Sequence, residues 1–293
     1  MENILQKNID ITELSNFKTI ATTRYFFEIK VLDDIDKLKQ IIEFSKKEKL
    51  KILFIWWWTN LLFAFDIFDW IIIKNNLKGW TYDKNNKILE AFSAENISDI
   101  AINLFKNNQK LWKRFIWLPW TIWWAVFWNA WCFWLETANN FLDSKILNLD
   151  TLEIEIFNKK QIQFSYRNSI LKENLNKYFL IKARFDLSKK QEKYHSNVDN
   201  VYFRKTVQPR GNTCGSFFKN PSKDFPAWKL IEEVWLKWYK TWWAFFSEIH
   251  ANFVMNDWTW TYTDLINLIK LAQEKVKAKY NIELVPEVRI ITN

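Results

Sequence analysis

The sequence predicts an α+β fold, because helix and strand patterns are mixed along the chain without strict alternation. Apolar residues recur at helical spacing over 35–48. A short apolar run at 51–55 is typical of a buried strand, and residues 151–157 alternate between apolar and polar as a half-buried strand does. With 293 residues, the chain has room for two or three small domains.

Further elements follow along the chain in the same two patterns. The segment 188–205 is polar and charged with no sustained apolar period, so it is expected to connect two domains. Apolar runs predict further strands, and helical spacing predicts further helices. The strands are expected at 68–73, 87–92, 177–187 and 283–292, and the helices from about Ser93 and over Asp264–Tyr280.

Tryptophan and glycine occur in unusual numbers. The chain has 20 tryptophans and 3 glycines, whereas glycine makes up about 7% of an average protein. Adding the tryptophan count to the glycine count restores that share. The composition therefore suggests that tryptophan stands in place of glycine at most of these positions.

The positions of the tryptophans point the same way. WWWTN (56–60) follows a buried strand, where three glycines would form a loop whose backbone N–H groups can converge on a phosphate. WLPWTIWWAVFWNAWCFW (117–134) would become a long loop suited to a pyrophosphate, and KTWWAFF (240–246) and NDWTWTY (256–262) would become glycine turns. We interpret the chain as the product of a gene in which UGA specifies glycine, translated here with tryptophan. Trp112 is the leading candidate for a genuine tryptophan.

Charge and cysteine content bear on partners and compartment. The formal net charge of +9 fits an anionic partner such as a nucleotide, and a lysine- and asparagine-rich composition explains it equally well. Two cysteines, Cys132 and Cys214, are too few for a disulfide framework, and the N-terminus carries no export signal, so a cytoplasmic protein is expected. Residues 115–135 are long enough to span a bilayer, but Pro119 and Asn129 interrupt them, so no membrane partner is expected.

Seven short motifs occur in one order along the chain. Each alone would be weak, because short motifs recur by chance. They are IWWWTNLL (55–62), WLPWTIWWAVFWNAW (117–131), SYRNS (165–169), QPRGNTCGSFFKNP (208–221), PAWKLIEEVWLKW (226–238), SEIHANFVMN (247–256) and PEVRI (286–290). With glycine restored, the chain resembles the UDP-N-acetylenolpyruvoylglucosamine reductases, also called UDP-N-acetylmuramate dehydrogenases, from about Leu14 to Ile291.

The resemblance implies a fold and a domain order. The fold would be a two-part FAD-binding region of the vanillyl-alcohol oxidase/p-cresol methylhydroxylase type, followed by a C-terminal α+β substrate domain. FAD-binding subdomains are expected over 1–70 and 71–190, and the substrate domain over 206–293. The short interval between Arg167 and Ser216 resembles the family's shorter subtype.

The resemblance also implies an activity. The enzyme would reduce UDP-N-acetylglucosamine enolpyruvate to UDP-N-acetylmuramate with FAD and NADPH as cofactors, although NADH remains open. The reaction belongs to peptidoglycan synthesis, and thus to cell wall biogenesis, cell shape, cell division and the cell cycle. Such an enzyme is expected to act as a monomer, without a metal and without a nucleic acid partner.

Site residues are carried over from the matching motifs. The glycine-rich motifs would contact the flavin, with glycine in place of each tryptophan. The expected flavin contacts are Trp56, Trp57, Trp58, Thr59, Asn60, Trp117, Pro119, Trp120, Thr121, Trp123, Trp124 and Asn129. The expected substrate contacts are Tyr166, Lys219 and Asn220.

Three residues match the family's catalytic positions. Ser216 would give a proton to C2 of the enolpyruvyl group after hydride reaches C3. Arg167 would stabilise the developing negative charge, and Glu287 would assist at the same carboxylate. Taken singly, the three have plainer interpretations as a turn serine, a surface ion-pair arginine and a solvated strand residue. His250 and Asn252 lie in a matching motif but are expected to be structural.

Two other functions remain open from the sequence. Another FAD-dependent oxidoreductase of the same fold would explain the glycine loops, but not SYRNS, GSFFKNP and PEVRI together. A tryptophan-rich membrane-surface binding protein would explain the literal sequence and its charge, but not the ordered motifs. The segment 18–29 lacks the Gly-Gly turn that the family commonly carries there, so no flavin contact is assigned before Tyr25.

Sequencing of the gene tests the glycine interpretation. We expect UGA codons at Trp57, Trp117 and Trp124, because glycine suits these loop positions and tryptophan does not. UGG at those three positions would contradict the interpretation, whereas UGG at Trp112 agrees with it.

Overall fold

A computed structural model of the chain describes residues 1, 3–56, 60–118, 120–132, 135–188, 209–257 and 261–293, without the side chain of Trp56. Strands and helices are mixed without regular alternation, which confirms the predicted α+β class. The chain divides into two units. The first comprises Met1–Ile4, Phe27–Trp57 and Ile73–Val198, and the second comprises Leu5–Phe26, Trp58–Ile72 and Asp199–Asn293. The predicted domain boundaries after residues 70 and 190 and at residue 206 stay a prediction.

Short strands and helices occur throughout the described residues. The helices are α1 (Asp34–Glu48), α2 (Ile97–Lys106), α3 (Ile122–Phe127), α4 (Thr137–Asn140), α5 (Lys159–Ile162), α6 (Ile170–Glu173), α7 (Ala227–Glu233) and α8 (Thr263–Tyr280), with 3₁₀ turns at Thr12–Leu14 and Leu111–Phe115. The strands are β1 (Gln6–Asp10), β2 (Thr22–Ile29), β3 (Ile52–Trp56), β4 (Leu61–Phe63), β5 (Ile67–Asn75), β6 (Trp80–Asp83), β7 (Ile88–Phe92), β8 (Trp131–Cys132), β9 (Leu135–Glu136), β10 (Phe141–Asn148), β11 (Ile154–Asn158), β12 (Tyr178–Asp186), β13 (Lys240–Thr241), β14 (Ala244–Phe246), β15 (Val254–Asn256) and β16 (Arg289–Ile291).

The sheets are mainly antiparallel. A five-stranded antiparallel sheet with the order β11-β10-β12-β7-β6 lies in the first unit. A four-stranded sheet has the order β1-β2-β5-β3. The second unit contains the antiparallel sheet β13-β14-β15 and one parallel pair, β4 with β16, in which Leu61 lies opposite Arg289. The parallel pair therefore joins the middle segment of this unit, Trp58–Ile72, to the last strand of the chain.

The core of the second unit draws on distant parts of the sequence. Phe17 and Leu62 are fully buried in the same apolar cluster as Phe217 and Leu268. Burial of such side chains contributes about 1.5–3 kcal/mol each relative to exposure. This shared core attaches the early segments to the later ones within one unit.

Most predicted elements are present, and their ends differ for local reasons. The helix expected from about Ser93 begins at Ile97, because the side chain of Asn96 accepts hydrogen bonds from the N–H groups of Ser98 and Asp99 and so caps the helix. The strand expected over 151–157 begins at Ile154. All but the first residue of the expected connection, 188–205, lies outside the described residues.

The segment expected to be a long loop, 117–134, contains the short helix α3. The hydroxyl of Thr121 accepts a hydrogen bond from the N–H of Trp124 at 3.4 Å and caps this helix. The expectation of a continuous loop is therefore wrong for the chain as printed, since tryptophan forms helix more readily than glycine does. No helix among the described residues has the length and apolar character needed to cross a membrane.

Several tryptophans lie in a backbone conformation that favours glycine. Ile116 has φ −57° and ψ 131°, and Trp117 follows with φ 67°. The N–H of Leu118 donates to the carbonyl of Phe115 at 3.0 Å and closes the turn. These angles define a type II turn, whose third residue needs positive φ and is usually glycine. Trp117 thus occupies a glycine position.

Trp235 ends α7 in the same way. It has φ 62°, its N–H donates to the carbonyl of Glu232 at 3.0 Å, and the N–H of Leu236 donates to that of Ile231 at 3.1 Å. This pair of bonds is the Schellman motif, in which the left-handed residue is most often glycine. The indole itself is 86% exposed and so gains little from packing. Trp238 (φ 69°) and Trp242 (φ 47°) share the left-handed conformation, and Trp242 opens the two-residue loop of the β13–β14 hairpin.

Trp112 has the opposite environment. It is 1% exposed. Its ring packs edge-on against Phe115 and Phe185, with centroid distances of 5.3 and 5.0 Å. Such burial is what a genuine core tryptophan provides, because aromatic pairs add to the free energy gained from buried area. The structure therefore favours tryptophan at 112 and glycine at 117, 235, 238 and 242.

Substitutions at two tryptophans test this distinction. Trp235→Gly should raise the free energy of unfolding by about 1 kcal/mol, since it relieves a left-handed conformation that costs a non-glycine residue about 1–2 kcal/mol. Trp112→Gly should lower it by about 3 kcal/mol or more, because a large cavity remains. Urea denaturation of the two variants measures both changes, and a loss of stability on Trp235→Gly would contradict the assignment.

Candidate active site

The predicted site residues are divided between the two units. The first unit holds the backbone of Trp56, the side chains of Tyr166 and Arg167, and the described part of 117–129. The second unit holds Asn60, Ser216, Lys219, Asn220 and Glu287. Four predicted flavin contacts lie outside the described residues, namely Trp57, Trp58, Thr59 and Pro119.

Arg167 lies in a tight turn of the first unit. The N–H of Ser165 donates to the carbonyl of Asn168 at 3.1 Å, and the N–H of Asn168 donates back at 3.2 Å, so Tyr166 and Arg167 form a two-residue turn. Arg167 has φ 55°, which non-glycine residues seldom adopt. Such a conformation persists only where its surroundings hold it.

Two side chains hold this turn. Asn129 donates from Nδ2 to the carbonyl of Ser165 at 3.1 Å and to the carboxylate of Glu136 at 3.0 Å. Lys172 donates from Nζ to the carbonyl of Arg167 at 3.0 Å. The amide of Asn129 is thus occupied within the protein, and its predicted contact with the flavin stays a prediction.

The guanidinium of Arg167 retains unused bonding capacity. It lies over the ring of Trp120, 6.0 Å from the centroid. Its Nη1 atom is buried and has no hydrogen-bond partner among the described residues. Because an unpaired buried donor costs about 1–3 kcal/mol, this atom is ready to bind an acceptor such as a carboxylate. The neighbouring Tyr166 is 82% exposed and is open to a ligand.

The predicted flavin segment 117–124 lies along the residues that precede α2. The carbonyl of Trp120 accepts from the N–H of Ile97 at 2.9 Å, and the N–H of Trp123 donates to the carbonyl of Ser93 at 2.8 Å. These backbone bonds do not depend on the side chains at 120 and 123. The path of the segment is therefore compatible with glycine at both positions.

The indoles of this segment occupy space around that path. Trp123 is buried against Phe127, with ring centroids 5.7 Å apart. The Nε1 atom of Trp124 is buried without a hydrogen-bond partner among the described residues. A donor left unpaired in this way is unfavourable, but Nε1 of Trp112 is unpaired in the same way, so this atom does not distinguish the two positions. Thr121 is buried and caps α3, so it contributes to the shape of the segment.

In the second unit, Ser216 and Glu287 lie on neighbouring backbone segments. Ser216 forms an antiparallel bridge with Phe253, and the N–H of Phe217 donates to the carbonyl of Asn252 at 2.7 Å. On the other side, the N–H of Glu287 donates to the carbonyl of Phe217 at 2.7 Å. Two motifs that lie about 70 residues apart in the sequence are therefore adjacent, since paired segments run about 4.8 Å apart.

The predicted substrate contacts of this unit, Lys219 and Asn220, come shortly after Ser216 in the sequence. Lys219 and Asn220 are exposed. The N–H of Lys219 donates to the carbonyl of Val285 at 2.9 Å, which extends the pairing that begins at Phe217. The side-chain oxygen of Asn220 accepts from the N–H of Ala227 at 3.0 Å, at the start of α7. Asn220 therefore also has a structural role.

Asn60 begins the parallel strand pair of this unit. Its backbone carbonyl accepts from the N–H of Arg289 at 2.9 Å. Its side-chain Oδ1 is buried without a hydrogen-bond partner among the described residues. This acceptor can take a hydrogen bond from an N–H or O–H group of a ligand.

Cys214 lies two residues before Ser216, and its environment excludes a nucleophilic role. Burial raises the pKa of the thiol to about 12, and the thiol donates to the carbonyl of Leu61 at 3.6 Å. The thiolate is the reactive form of cysteine, so Cys214 is inert at neutral pH. In the part of the chain that the structure describes, no group of His, Cys, Asp and Glu side chains is placed to hold a metal ion.

Two residues of structural weight at these sites were not predicted as site residues. Lys172 bonds the carbonyl of Arg167, and Asn252 bonds the backbone beside Ser216. Both residues lie in or next to matching motifs, which is a weak indication of a role. Their hydrogen-bond partners cannot be deduced from the spacing of residues in the sequence.

Comparisons with known proteins agree with one another. A family model described as UDP-N-acetylenolpyruvoylglucosamine reductase, C-terminal domain, matches residues 208–291. The chain is similar to the UDP-N-acetylenolpyruvoylglucosamine reductase of Prochlorococcus marinus (strain NATL2A), with 32% identity over 293 residues and 97% of each chain covered. It is also similar to that of Aquifex aeolicus (strain VF5), with 28% identity, 97% of this chain covered and 94% of the relative.

A solved structure has the same fold. The crystal structure of UDP-N-acetylenolpyruvylglucosamine reductase from Thermus caldophilus matches with a TM-score of 0.70 and 16% identity, and covers 99% of this chain and 100% of that chain. This likeness confirms the predicted fold class over the length of the chain.

Alkylation of the cysteines tests the state of Cys214. In a Cys132→Ser variant, which leaves Cys214 as the single thiol, the native protein should react at pH 8 about 1,000-fold more slowly than the urea-unfolded chain. The reason is the smaller thiolate fraction that the raised pKa of about 12 allows. A native rate close to the unfolded rate would show that Cys214 is accessible and ionised.

Proposed function

The chain belongs to the UDP-N-acetylenolpyruvoylglucosamine reductase family, and we propose that it reduces UDP-N-acetylglucosamine enolpyruvate to UDP-N-acetylmuramate with NADPH and FAD. The observation that carries the proposal is the similarity to a curated reductase over 97% of both chains. The activity is that of a UDP-N-acetylmuramate dehydrogenase, a flavin-dependent oxidoreductase in peptidoglycan precursor synthesis. The proposed setting is a cytoplasmic monomer that requires neither nucleic acid nor membrane.

The polar atoms of both units fit the proposed ligands. Asn60 Oδ1 and Arg167 Nη1 are buried without hydrogen-bond partners among the described residues, and both lie in motifs that match the family. An acceptor such as Asn60 suits the N–H and O–H groups of FAD, and a guanidinium suits a carboxylate. Bound ligands would offset the cost of leaving these atoms unpaired.

FAD, when bound, supplies the hydride chemistry between NADPH and C3 of the enolpyruvyl group. In our proposal its contacts are the motif residues at 56–60, 117, 119–121, 123, 124 and 129, with glycine at the tryptophan positions. Glycine would remove the indoles that occupy space around these segments, so that a phosphate could approach their backbone closely. The chain as printed, with indoles in both loops, is therefore expected to be inactive.

Arg167 and Glu287 are proposed to stabilise the negative charge that develops on the substrate. Hydride addition at C3 places negative charge on C2, which spreads into the adjacent carboxylate. A guanidinium can hold that carboxylate through two parallel hydrogen bonds and lowers the energy of the charge as it forms. Glu287 assists at the same carboxylate, as the match to PEVRI implies.

Proton delivery is assigned to Ser216. A serine hydroxyl is a poor acid in water, but C2 becomes strongly basic once hydride has reached C3, so a hydroxyl held beside it can transfer its proton. Gly215 precedes Ser216 with φ 86°, and no heavy atom of the described residues, apart from its two chain neighbours, lies within 4 Å of the position that a Cβ there would take. The site next to Ser216 therefore has room on this side.

The experiment uses the glycine form, defined as the full chain with glycine in place of every tryptophan except Trp112. It should purify as a yellow flavoprotein that oxidises NADPH when the enolpyruvyl nucleotide is present. Ser216→Ala in this form should abolish substrate reduction, with a loss of about 100-fold or more, because proton transfer is lost. Flavin reduction by NADPH should remain within about twofold, since it needs no proton at C2.

Stopped-flow absorbance of the flavin measures both half-reactions. A glycine form that neither binds FAD nor oxidises NADPH would refute the proposed function. Equal loss of both half-reactions in Ser216→Ala would refute the role of Ser216 while leaving the enzyme assignment intact.

A further inference from the structure

A buried asparagine holds the backbone immediately after Ser216. Asn252 is 2% exposed. Its Nδ2 donates to the carbonyl of Phe218 at 2.8 Å, and its Oδ1 accepts from the N–H of the same residue at 2.9 Å. Its own carbonyl accepts from the N–H of Phe217 at 2.7 Å. One residue thus makes three hydrogen bonds to the two residues that follow Ser216.

These bonds take the place of a strand partner. A side-chain amide that both donates to and accepts from one residue reproduces the pairing that a neighbouring strand would supply. The groups involved are buried, so water cannot replace them. Asn252 therefore determines the position of Phe218 more strictly than ordinary packing would.

The opposite edge of this segment carries the second catalytic residue. The N–H of Glu287 donates to the carbonyl of Phe217, and Phe218 forms a bridge with Pro286. A shift of Phe217 or Phe218 would therefore change the position of Ser216 relative to Glu287. Asn252 acts at the point where the two are joined.

Gly215 lies on the other side of Ser216, and its N–H donates to Oγ1 of Thr213 at 3.3 Å. Gly215 has φ 86° and no side chain to pack, and glycine has more conformational freedom than any other residue. The position of the serine hydroxyl consequently depends on the residues that follow it, Phe217 and Phe218, and on the bridge to Phe253.

The backbone of Asn252 is fixed by the turn that precedes it. Its N–H donates to Nδ1 of His250 at 3.2 Å, and the N–H of Phe253 donates to the carbonyl of His250 at 2.9 Å. The N–H of Ser247 donates to the carbonyl of Phe253 at 2.9 Å. The amide of Asn252 is thus presented from a closed turn rather than from a free loop.

We infer that Asn252 is a positioning residue for Ser216, and that it acts on proton transfer by holding Phe217 and Phe218 in place. The inference rests on the proposed function, in which Ser216 protonates C2. A displacement of about 1 Å at a catalytic group can lower the rate about 100-fold. Asn252 has no other role in this inference and touches no reacting atom.

The test compares three variants in the glycine form. Asn252→Ala removes both bonds to Phe218, and Asn252→Asp retains only the acceptor, so the second variant keeps the comparison possible if the first folds poorly. The matched control is Asn148→Ala, a buried asparagine of the first unit whose side chain also holds a turn, through the N–H of Asp150 at 3.0 Å and the carboxylate of Glu155 at 2.8 Å.

Each variant is studied by stopped flow in both half-reactions. We expect either substitution at Asn252 to slow oxidation of the reduced enzyme by the enolpyruvyl nucleotide about 10-fold to 100-fold, while flavin reduction by NADPH changes by less than about twofold. Asn148→Ala should leave both rates within about twofold. Loss of both half-reactions in parallel at Asn252 would show a merely structural role and overturn the inference.

A double variant decides whether Asn252 acts through Ser216. If it does, Ser216→Ala combined with Asn252→Ala should reduce substrate no more slowly than Ser216→Ala alone, because the positioned hydroxyl is already absent. Multiplied losses would show that Asn252 acts independently and would overturn the inference, while the proposed function would stand. An unsubstituted glycine form without either half-reaction would overturn both.

Discussion

The backbone pairing of Ser216–Phe218 is the constraint on which the candidate site of the second unit depends. Phe217 and Phe218 are buried in the core, and their backbone groups bond Asn252 on one side and Glu287 on the other. The buried side chains of Phe217 and Phe218 anchor the segment in the core, and the backbone hydrogen bonds fix its position relative to the paired segments. Ser216 and Glu287 therefore have defined positions relative to each other. Three separate motifs become one structural element in this way.

Left-handed backbone conformation is the second recurring constraint, and it supports glycine at several tryptophan positions. All three glycines have positive φ, and so do Trp117, Trp235, Trp238 and Trp242. At 117 and 235 the hydrogen bonds identify turns whose geometry selects glycine for steric reasons. Arg167 shares the conformation but is held by Lys172, as a functional residue can be. The proposed catalytic residues Arg167, Ser216 and Glu287 are not themselves tryptophan positions, whereas the segments proposed to bind the flavin contain several.

The sequence predicted much of the fold because local patterns report local structure. The helices expected at 35–48 and 264–280 and the strands expected at 51–55 and 177–187 are present as Asp34–Glu48, Thr263–Tyr280, Ile52–Trp56 and Tyr178–Asp186. The family and fold class were expected from the ordered motifs. The helix α3 was not expected, because glycine was assumed at positions 123 and 124 and glycine disfavours a helical turn, whereas tryptophan allows one. Asn252 was expected to be structural, and its bonds to Phe218 could not be foreseen, because no pattern in the sequence pairs residues 34 positions apart.

The sequence by itself determined the residue types, the order of the motifs and therefore the family and its chemistry. It is also the basis of our interpretation that tryptophan stands in place of glycine, since composition and loop position are properties of the chain alone. Tertiary structure decided which segments meet: Phe217 with Asn252 and Glu287, and Asn60 with Arg289. The physical reason is that such contacts depend on how buried side chains pack and on which backbone groups remain to be paired. Neither is encoded in the spacing of residues along the chain.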